Sequence, residues 1–392
     1  MKRVAQNVAR AQTCLGAARQ THSLSKSVPV YRTLLQRTKA APAAAGQLRE
    51  LSGGTAQNLA VDDFFDTGVA TASTPKDSTY LLPYKYRSRR ARERFVLGKE
   101  LGRGMFATVY QGQDRETGKN YAIKVMDKRT TPRELYEREL QILEQVSGKV
   151  AHSRITHIYD VYEDQNCLYF VLELMASDMF EHIAKTGRMT EQDSAVITRK
   201  LCYALEALHV NGILHRDIKL ENMLIETRKE EDEHDEGAGA FKIADFGFAK
   251  RMGESDRFQN PAGTLGYAAP EVLLQRQYGP ACDVWSAGVV LYIMLAGHPP
   301  FPRKPGMEGA GLTVEEQLEA EYEAIIYGRE SKRWRDHLSR GVWKDVSMPA
   351  KKLVSHMLRI DPAKRYTTQR VLNDPWILAN TRLRQYEYLN FE

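Results

Sequence analysis

The sequence has few cysteines and no long hydrophobic run. Its four cysteines, Cys14, Cys167, Cys202 and Cys282, show no CxxC spacing and no Cys/His spacing typical of a metal site. A disulfide framework or a zinc site is therefore not expected, and scattered intracellular thiols are favoured. No stretch approaches about 18 consecutive apolar residues, so no membrane span is expected. The 392 residues, 42% of them hydrophobic, can bury a large core in one two-lobed domain or in two domains.

Acidic residues are missing from the first part of the chain, where Glu50 is the first acid. Residues 1–94 hold 16 Lys/Arg against 6 Asp/Glu, a net charge of +10, which leaves 40 of 56 against 44 of 50, a net charge of −4, for the remainder. The overall charge of +6 thus describes the N-terminal extension, and it gives no reason to expect that the globular part binds nucleic acid. We expect residues 1–94 to be mostly disordered, because small and polar residues dominate them.

Two features of this extension indicate a cellular address. Within residues 1–20, apolar residues recur at helical spacing among Lys and Arg, as in a mitochondrial transit peptide; a basic disordered tail is the alternative. Residues 85–94, KYRSRRARER, form a second basic cluster, which is either a nuclear or anionic-surface address or a solvated linker. We expect an intracellular protein, with the cytoplasm or nucleus slightly favoured and the mitochondrion as the alternative.

The pattern of the sequence changes at Phe95. Alternating apolar and polar residues predict antiparallel strands in FVLGKELGRGMFATVYQGQD, NYAIKVMDK, ITHIYDVYED and LYFVLEL, with the helix RELYERELQILEQV among them. Beyond Asp178 the apolar spacing becomes mainly helical. The sequence therefore predicts an α+β fold, in which a small β-rich lobe precedes a larger helical lobe. The charged, glycine-ended segment 226–240 is predicted to be a surface loop.

The glycine-containing segment GRGMFA, residues 102–107, lies between two predicted strands. Glycines let a backbone approach phosphate oxygens without a Cβ clash, although a structural hairpin explains this segment about as well. Lys124 follows about one strand later and could hold the charge of those phosphates. A lysine in a half-buried strand needs an acidic partner, and Glu139 on the following helix is well placed to be that partner.

The segment HRDIKLEN, residues 215–222, combines an acid, two kinds of base and an amide. Asp217 can orient a hydroxyl as a base, Lys219 can meet a developing phosphoryl charge, and Asn222 offers an oxygen suited to Mg²⁺. Asp245 of IADFG ends an apolar strand, where a carboxylate is costly unless it meets a metal or a cation. Each piece alone is explained by a surface Asp, a capping Asn or a turn Gly. Chance does not account for the whole set in this order.

Together these motifs resemble the signature set of eukaryotic protein kinases over roughly residues 95–378. The resemblance implies the two-lobed protein-kinase fold, with an N-lobe at about 95–173, a C-lobe at about 178–378 and a short tail at 379–392. It also implies that the phosphate donor is Mg-ATP and that the substrate is a protein.

The resemblance assigns roles to single residues. Asp217 would be the catalytic base, Lys219 would neutralise the γ-phosphoryl group, and Asn222 with Asp245 would hold two Mg²⁺ ions. The nucleotide would be contacted by Leu101, Gly102, Gly104, Val109, Ala122, Lys124 paired with Glu139, Glu173, Met175 and Leu224.

Later motifs extend the resemblance through the second half of the chain. Glu271 of AAPE would pair with Arg365 of DPAKRY, and Asp283 would fix the backbone of the catalytic loop. These motifs exclude small-molecule phosphotransferases that share only the nucleotide-binding half. The regulatory spine of the family would be formed by Leu143, Ile158, His215 and Phe246.

Several residues indicate which protein kinases the sequence resembles most. Lys219, two residues after the base, and Thr264 match Ser/Thr kinases, and Phe248 resembles the bulky residue associated with Ser over Thr. The segments YDVYEDQNCLYFVLEL and LYIMLAGHPPF resemble the calcium/calmodulin-dependent kinase group. Asp178 and Glu221 stand where that group binds an Arg upstream of the phosphorylated residue. Two solvated acids are the alternative.

Two departures from the group concern regulation. Asn260 stands at the usual activating phosphosite, so Arg216 would face no phosphothreonine there, although a phosphorylated Ser255 or neighbouring acids could partly substitute. We expect activity not to need phosphorylation at position 260. The tail 379–392 is too short for the calmodulin-binding segment typical of the group, so we expect no calmodulin control from it.

Two rival functions remain. A pseudokinase scaffold would keep the fold without the chemistry, but Lys124, Asp217, Asn222 and Asp245 are all present, which favours an active enzyme. A nucleic-acid-binding protein would explain the basic extension, but few aromatic residues are interleaved with its Lys and Arg; it would also predict strong salt dependence. The sequence predicts a protein Ser/Thr kinase with no nucleic-acid partner.

Overall fold

The computed structural model describes residues 91–104, 106–150, 152–226, 240–253, 263–274, 276–301, 314–330 and 332–381. Within these residues the chain forms two compact units, one from 91–143 and 156–175 and the other from 144–155 and 176–381.

Four of the sequence predictions lie outside the described residues. They are the targeting signals before residue 91, most of the charged segment 226–240, positions 255 and 260, and the tail after residue 381.

The first unit is built on one five-stranded sheet. All its pairings are antiparallel, and the strand order is β1-β2-β3-β5-β4. This arrangement confirms the predicted antiparallel sheet and its main helix, α2. The elements are α1 (Ala91–Arg94), β1 (Phe95–Arg103), β2 (Ala107–Asp114), β3 (Asn120–Asp127), α2 (Arg133–Gln145), β4 (Ile158–Glu163) and β5 (Cys167–Leu172).

The short helix α1 corrects the interpretation of residues 91–94 as part of a solvated linker. Ala91 is buried with Phe95 in the core of the first unit. Arg94 Nε donates to Asp114 Oδ2 at 3.0 Å, and Arg94 Nη1 donates to the hydroxyl of Tyr162 at 2.6 Å. The last turn of the basic cluster is therefore a packed part of this unit, because its arginine has buried partners.

The second unit is mainly helical, as predicted. Small strands form two separate sheets, with the orders β10-β7 and β6-β8-β9. The elements are β6 (Ser177–Asp178), α3 (Met179–Thr186), α4 (Glu191–Val210), β7 (Ile213–Leu214), β8 (Met223–Ile225), β9 (Phe241–Ile243), β10 (Lys250–Arg251), α5 (Pro270–Leu273), α6 (Ala281–Ala296), α7 (Val314–Glu330), α8 (Lys332–His337), α9 (Met348–Met357), α10 (Thr368–Leu372) and α11 (Pro375–Thr381).

Helix α6 is the centre of the second unit. Every residue from Cys282 to Ala296 is buried, as expected for a helix that is apolar on all sides. Gly288 permits close packing, since a Cβ there would lie 2.8 Å from Met357 Cβ on α9. A charged residue, Asp283, is nevertheless fully buried in the first turn of α6, so its carboxylate must have strong partners.

The small strands of the second unit place the candidate catalytic residues. Residues 215–219 follow β7 and lead into the 3₁₀ turn Leu220–Asn222 and β8. Strand β8 pairs antiparallel with β9, with Met223 opposite Ile243. Asp245 follows two residues later, and Ala244 N donates to Asn222 O at 2.9 Å. Backbone pairing therefore joins the HRDIKLEN and IADFG segments.

None of the helices within the described ranges combines the length and the apolar character that a membrane crossing requires.

Candidate functional site

Asp217 lies in a closed cluster of hydrogen bonds in the second unit. It is 2% exposed, and its Oδ2 lies 2.7 Å from Lys219 Nζ. Lys219 Nζ also donates to Thr264 Oγ1, which donates to Asp217 Oδ1, both at 2.7 Å. Asn222 Nδ2 donates to Asp217 Oδ2 at 3.0 Å. The structure therefore brings together four of the residues that the sequence singled out.

Lys219 is held as a cation in this cluster. Its burial lowers its pKa, but the neighbouring Asp217 carboxylate acts in the opposite direction by charge and by hydrogen bonding, and the net result is a raised pKa. A charged lysine beside the carboxylate suits a site where negative charge accumulates.

The backbone of the catalytic loop is anchored by Asp283. Its Oδ1 accepts from Arg216 N at 2.8 Å, and its Oδ2 accepts from His215 N at 3.0 Å and contacts His209 Nε2 at 2.8 Å. Burial would raise the pKa of Asp283, but the bonds from His209 and from the backbone lower it below its usual value. These contacts agree with the predicted role of Asp283 in fixing this loop. His209 was not predicted from the sequence, because its position there is that of an ordinary residue in an apolar helix.

Backbone strain marks the same region. In the described part of the chain, Arg216 (φ 66°) and Asp245 (φ 62°) are the two non-glycine residues with positive φ. Such conformations cost free energy and persist where surrounding contacts impose them, typically at functional sites. Both flank the site, one beside the candidate base and the other at the candidate metal ligand.

His215 is a buried imidazole beside the site. It is fully buried, and this burial lowers its pKa despite the charges of Asp283, Asp217 and Asp245. Its Nε2 lies 3.2 Å from Ala244 O, and its ring lies 5.0 Å from that of Phe246. Two of the four predicted spine residues are thus in contact, and the other two, Leu143 and Ile158, belong to the first unit.

Oxygen donors for a hard cation are available from Asn222 and Asp245. Asn222 Nδ2 is used by Asp217, while its Oδ1 accepts no hydrogen bond from the described residues. Asp245 is exposed, and its Oδ1 accepts from Gly247 N at 3.2 Å. No group of three or more His, Cys, Asp or Glu suited to a metal occurs among the described residues. An amide and a carboxylate fit Mg²⁺, which usually completes its shell with water and phosphate oxygens.

Lys124 and Glu139 form a buried ion pair in the first unit. Lys124 Nζ lies 2.6 Å from Glu139 Oε1, and the side chains are 11% and 3% exposed. Strand β3 fixes the lysine and helix α2 fixes the acid, in agreement with the pairing predicted from the sequence. Register places Val109 of β2 opposite both Lys124 and Gly102, so the candidate phosphate-binding lysine on β3 and glycine on β1 lie on either side of β2.

The glycines of the loop are not required by the fold. Gly102 and Gly104 have no positive φ, and a Cβ at Gly102 would meet nothing within 4 Å. Gly104 N closes the turn by donating to Ala107 O at 2.8 Å. Gly102 therefore needs no special backbone angle and has open space beside it. Such a glycine suits a close approach of the protein backbone to a ligand group such as a phosphate.

The remaining candidate nucleotide contacts are placed by strand pairing. Ala122 lies opposite Leu172 near the end of β5, and Glu173 N donates to His157 O at 3.1 Å. Leu101, 45% exposed, and Met175, half-buried, belong to the first unit. Leu224 belongs to the second unit.

Asp178 and Glu221 are neighbouring half-buried acids, which does not fit two freely solvated carboxylates. Asp178 caps α3, since its Oδ1 accepts from Glu181 N at 2.7 Å. Burial raises the pKa of both carboxyls, and Asp178 raises that of Glu221 further by charge repulsion. Glu221 Oε2 is buried and has no hydrogen-bond partner in the described part of the chain.

Glu271 and Arg365 pair as the resemblance implied. Arg365 Nη1 and Nη2 donate to Glu271 Oε1 and Oε2 at 2.6 and 2.9 Å. The guanidinium lies over Trp285, 5.1 Å from the ring centroid. This buried bidentate pair joins the segment after Thr264 to the end of the domain.

Comparisons with known proteins agree with this geometry. Residues 95–377 match the protein kinase domain. A probable myosin light chain kinase of Dictyostelium discoideum is 35% identical over 284 residues, which are 72% of this chain and 81% of that protein. Calcium/calmodulin-dependent protein kinase type 1 of Caenorhabditis elegans is 33% identical over 294 residues, 74% and 76% of the two chains.

A plant relative is longer than the region that it shares with this chain. Calcium-dependent protein kinase 19 of Arabidopsis thaliana is 36% identical over 291 residues, 73% of this chain but 48% of that protein. The chain therefore spans about half the length of this relative. The matched region and the identities confirm the predicted family, and the chain belongs to the protein kinases, among the Ser/Thr kinases of the calcium/calmodulin-dependent group.

Proposed function

We propose that this protein transfers the γ-phosphate of Mg-ATP to Ser or Thr of protein substrates, close to an upstream Arg. The observation that carries the proposal is the cluster of Asp217, Lys219, Thr264 and Asn222, whose side chains are joined by hydrogen bonds that all converge on the Asp217 carboxylate or its lysine partner. A preorganised polar cluster needs little rearrangement during reaction.

Asp217 orients the attacking hydroxyl and accepts its proton. Thr264 and Asn222 each donate a hydrogen bond to one oxygen of its carboxylate. The carboxylate therefore has a fixed orientation in which to accept the proton of a substrate hydroxyl. Lys219 is close enough to stabilise negative charge on the transferred group, because its raised pKa keeps it protonated. Most of the catalysis in phosphoryl transfer comes from such positioning and charge stabilisation.

Asn222 and Asp245 hold Mg²⁺ in this proposal, and bound Mg²⁺ neutralises charge on the phosphate oxygens. Lys124 contacts the phosphates while Glu139 fixes its ammonium. Gly102 and Gly104, which carry no Cβ, let the loop come close to the phosphates. The adenine contacts are Leu101, Val109, Ala122, Glu173, Met175 and Leu224.

Asp178 and Glu221 select an Arg three residues before the phosphorylated position. The buried, unpaired Oε2 of Glu221 beside a second carboxylate is costly by itself. A guanidinium has the charge and the planar set of donors that would satisfy both acids. Phe248, 38% exposed next to the site, favours Ser over Thr at the acceptor position.

The experiment is transfer of labelled γ-phosphate from Mg-ATP to a positional-scanning Ser/Thr peptide library. We expect transfer that prefers an upstream Arg and is abolished by Asp217→Asn. Wild-type protein that binds ATP but transfers nothing, even after incubation with cell lysate, would favour the pseudokinase scaffold.

Two charge-removing variants test the specificity residues. Asp178→Asn keeps a helix-capping acceptor, and Glu221→Gln keeps the shape of the side chain. Each should reduce the preference for Arg over Ala about tenfold, equivalent to about 1.4 kcal/mol, without changing the rate with the Ala peptide. Glu181→Gln, which removes an exposed acid paired with Lys185, is the matched control. An unchanged preference in both test variants would contradict this assignment.

The same preference should depend on pH. Because the pKa of both carboxyls is raised, they gain protons at a higher pH than ordinary carboxyls as the pH falls. Protonation removes the charge that attracts the guanidinium, so the Arg preference should decline on acidification. A preference that stays constant into the range of ordinary carboxyl pKa values would exclude these two acids.

A further inference from the structure

Arg216 controls the direction of the backbone next to the base. Its φ is 66°, in the left-handed region, and its N–H is bonded to Asp283. Asp217 is the next residue, so a rotation at Arg216 would turn the catalytic carboxylate. A strained backbone of this kind keeps its conformation only while its contacts are intact.

The guanidinium of Arg216 contacts Phe248 and Tyr278. Its Nε donates to Phe248 O at 2.6 Å, and its Nη1 donates to the hydroxyl of Tyr278. The guanidinium carbon also lies 5.8 Å from the centroid of the Tyr278 ring, within the range of cation–π attraction. Tyr278 therefore holds Arg216 through both its hydroxyl and its ring.

Phe248 and Tyr278 lie at the two ends of the segment that contains the usual activating phosphosite of kinases. Phe248 lies directly before residues 249–277, which contain Asn260, and Tyr278 lies directly after them. The backbone of this segment also approaches Arg216, since a Cβ on Gly263 (φ 98°) would lie 2.4 Å from Arg216 O. Arg216 thus joins both ends of the segment to the catalytic loop.

We propose that Tyr278 is a positioning residue, which orients Arg216, and through it Asp217, in the unphosphorylated chain. This inference rests on the proposed kinase function. A phosphate could also orient an arginine, but it would first have to be added by another kinase. The Tyr278 hydroxyl is always present, so the enzyme needs no activating kinase to order this contact.

The first test is Tyr278→Phe, which removes the hydroxyl and keeps the ring. We expect kcat to fall about tenfold, the loss expected for one hydrogen bond to a charged group, with unchanged KM for ATP and for peptide and an unchanged melting temperature. Tyr366→Phe is the matched control, because Tyr366 is also half-buried and its ring stacks on His356 at 4.4 Å. Full kcat in Tyr278→Phe would overturn the inference.

A double-mutant cycle with Arg216→Ala separates positioning from a general structural effect. If Tyr278 acts through Arg216, Tyr278→Phe should have no further effect on kcat in the Arg216→Ala background. Independent, multiplicative losses would overturn the inference. Wild-type protein treated with phosphatase should keep its kcat, and a loss of activity on this treatment would show that a phosphate does the work assigned here to Tyr278.

Failure of the inference is distinguishable from failure of the proposed function. The inference compares variants with an active wild type, whereas the proposed function fails if the wild type itself transfers no phosphate.

Discussion

At the residue scale, Thr264 completes the hydrogen bonds around the catalytic carboxylate. Its single hydroxyl accepts from Lys219 and donates to Asp217, so both groups keep a fixed geometry. Lys219 alone could move with Asp217 as an ion pair. The threonine comes from a different part of the chain, and it therefore ties the pair to the segment that precedes α5.

Thr264→Val should slow the chemical step while leaving nucleotide binding intact. The loss of a hydrogen bond to a charged group costs about 1.5–3 kcal/mol, which corresponds to about 10- to 100-fold in kcat. Steady-state kinetics should show the fall in kcat with an unchanged KM for ATP. Thr186→Val, on the exposed end of α3, should retain wild-type rates; an equal loss in both variants would contradict this role.

His215 makes stability depend on pH near neutrality. Its pKa is lowered by burial, so the unfolded chain takes up this proton at a higher pH than the folded chain. The contribution of the neutral His215 side chain to the free energy of unfolding is fully present above the ordinary histidine pKa of about 6.5. This contribution is lost as the pH falls below that value. The melting temperature should therefore fall between pH 7.5 and 5.5, and it should fall less in His215→Phe. Parallel curves for the two proteins would refute the assignment.

At the element scale, helix α6 depends on close contact with α9. A side chain at Gly288 would meet Met357 Cβ, which lies next to the backbone and cannot turn away. Gly288→Ala should destabilise the protein by about 1–3 kcal/mol, the usual cost of overpacking. Thermal unfolding should show a fall of about 2–4 °C per kcal/mol. Gly279→Ala, where a Cβ meets nothing within 4 Å, is the control, and equal melting temperatures for the two variants would contradict the packing argument.

At the scale of the whole molecule, residues 91–94 belong to the first unit, although the family comparison matches only residues 95–377. A chain that begins at residue 91 keeps Arg94 with its partners Asp114 and Tyr162, whereas one that begins at 95 loses them. Removal of these partly buried, charged hydrogen bonds should cost about 1.5–3 kcal/mol. Circular dichroism melts should show the 95-start chain unfolding several degrees earlier; identical melts would show that α1 contributes nothing.

The chemistry of the site was predictable because kinase motifs are short and local. Asp217, Lys219 and Asn222 lie within six residues, and glycine, lysine and acid follow in a fixed order along the chain. The antiparallel strands and the main helices were predictable from alternating and helical spacing. Residues 91–94 were misread, because a basic run gives no sign of whether its arginines find buried acids.

What the sequence alone determined is the family, the class of fold and the set of reacting groups, because each depends on residue type and spacing. Contacts between distant segments were decided by the tertiary structure. Thr264 reaches Lys219, His209 reaches Asp283 and Tyr278 reaches Arg216 across 45, 74 and 62 residues of chain respectively. Tyr278 carries no sequence signal, since a tyrosine before a helix fits many roles. Tyr278 contacts Arg216 only because α6 and the catalytic loop pack together and bring the tyrosine hydroxyl to the guanidinium.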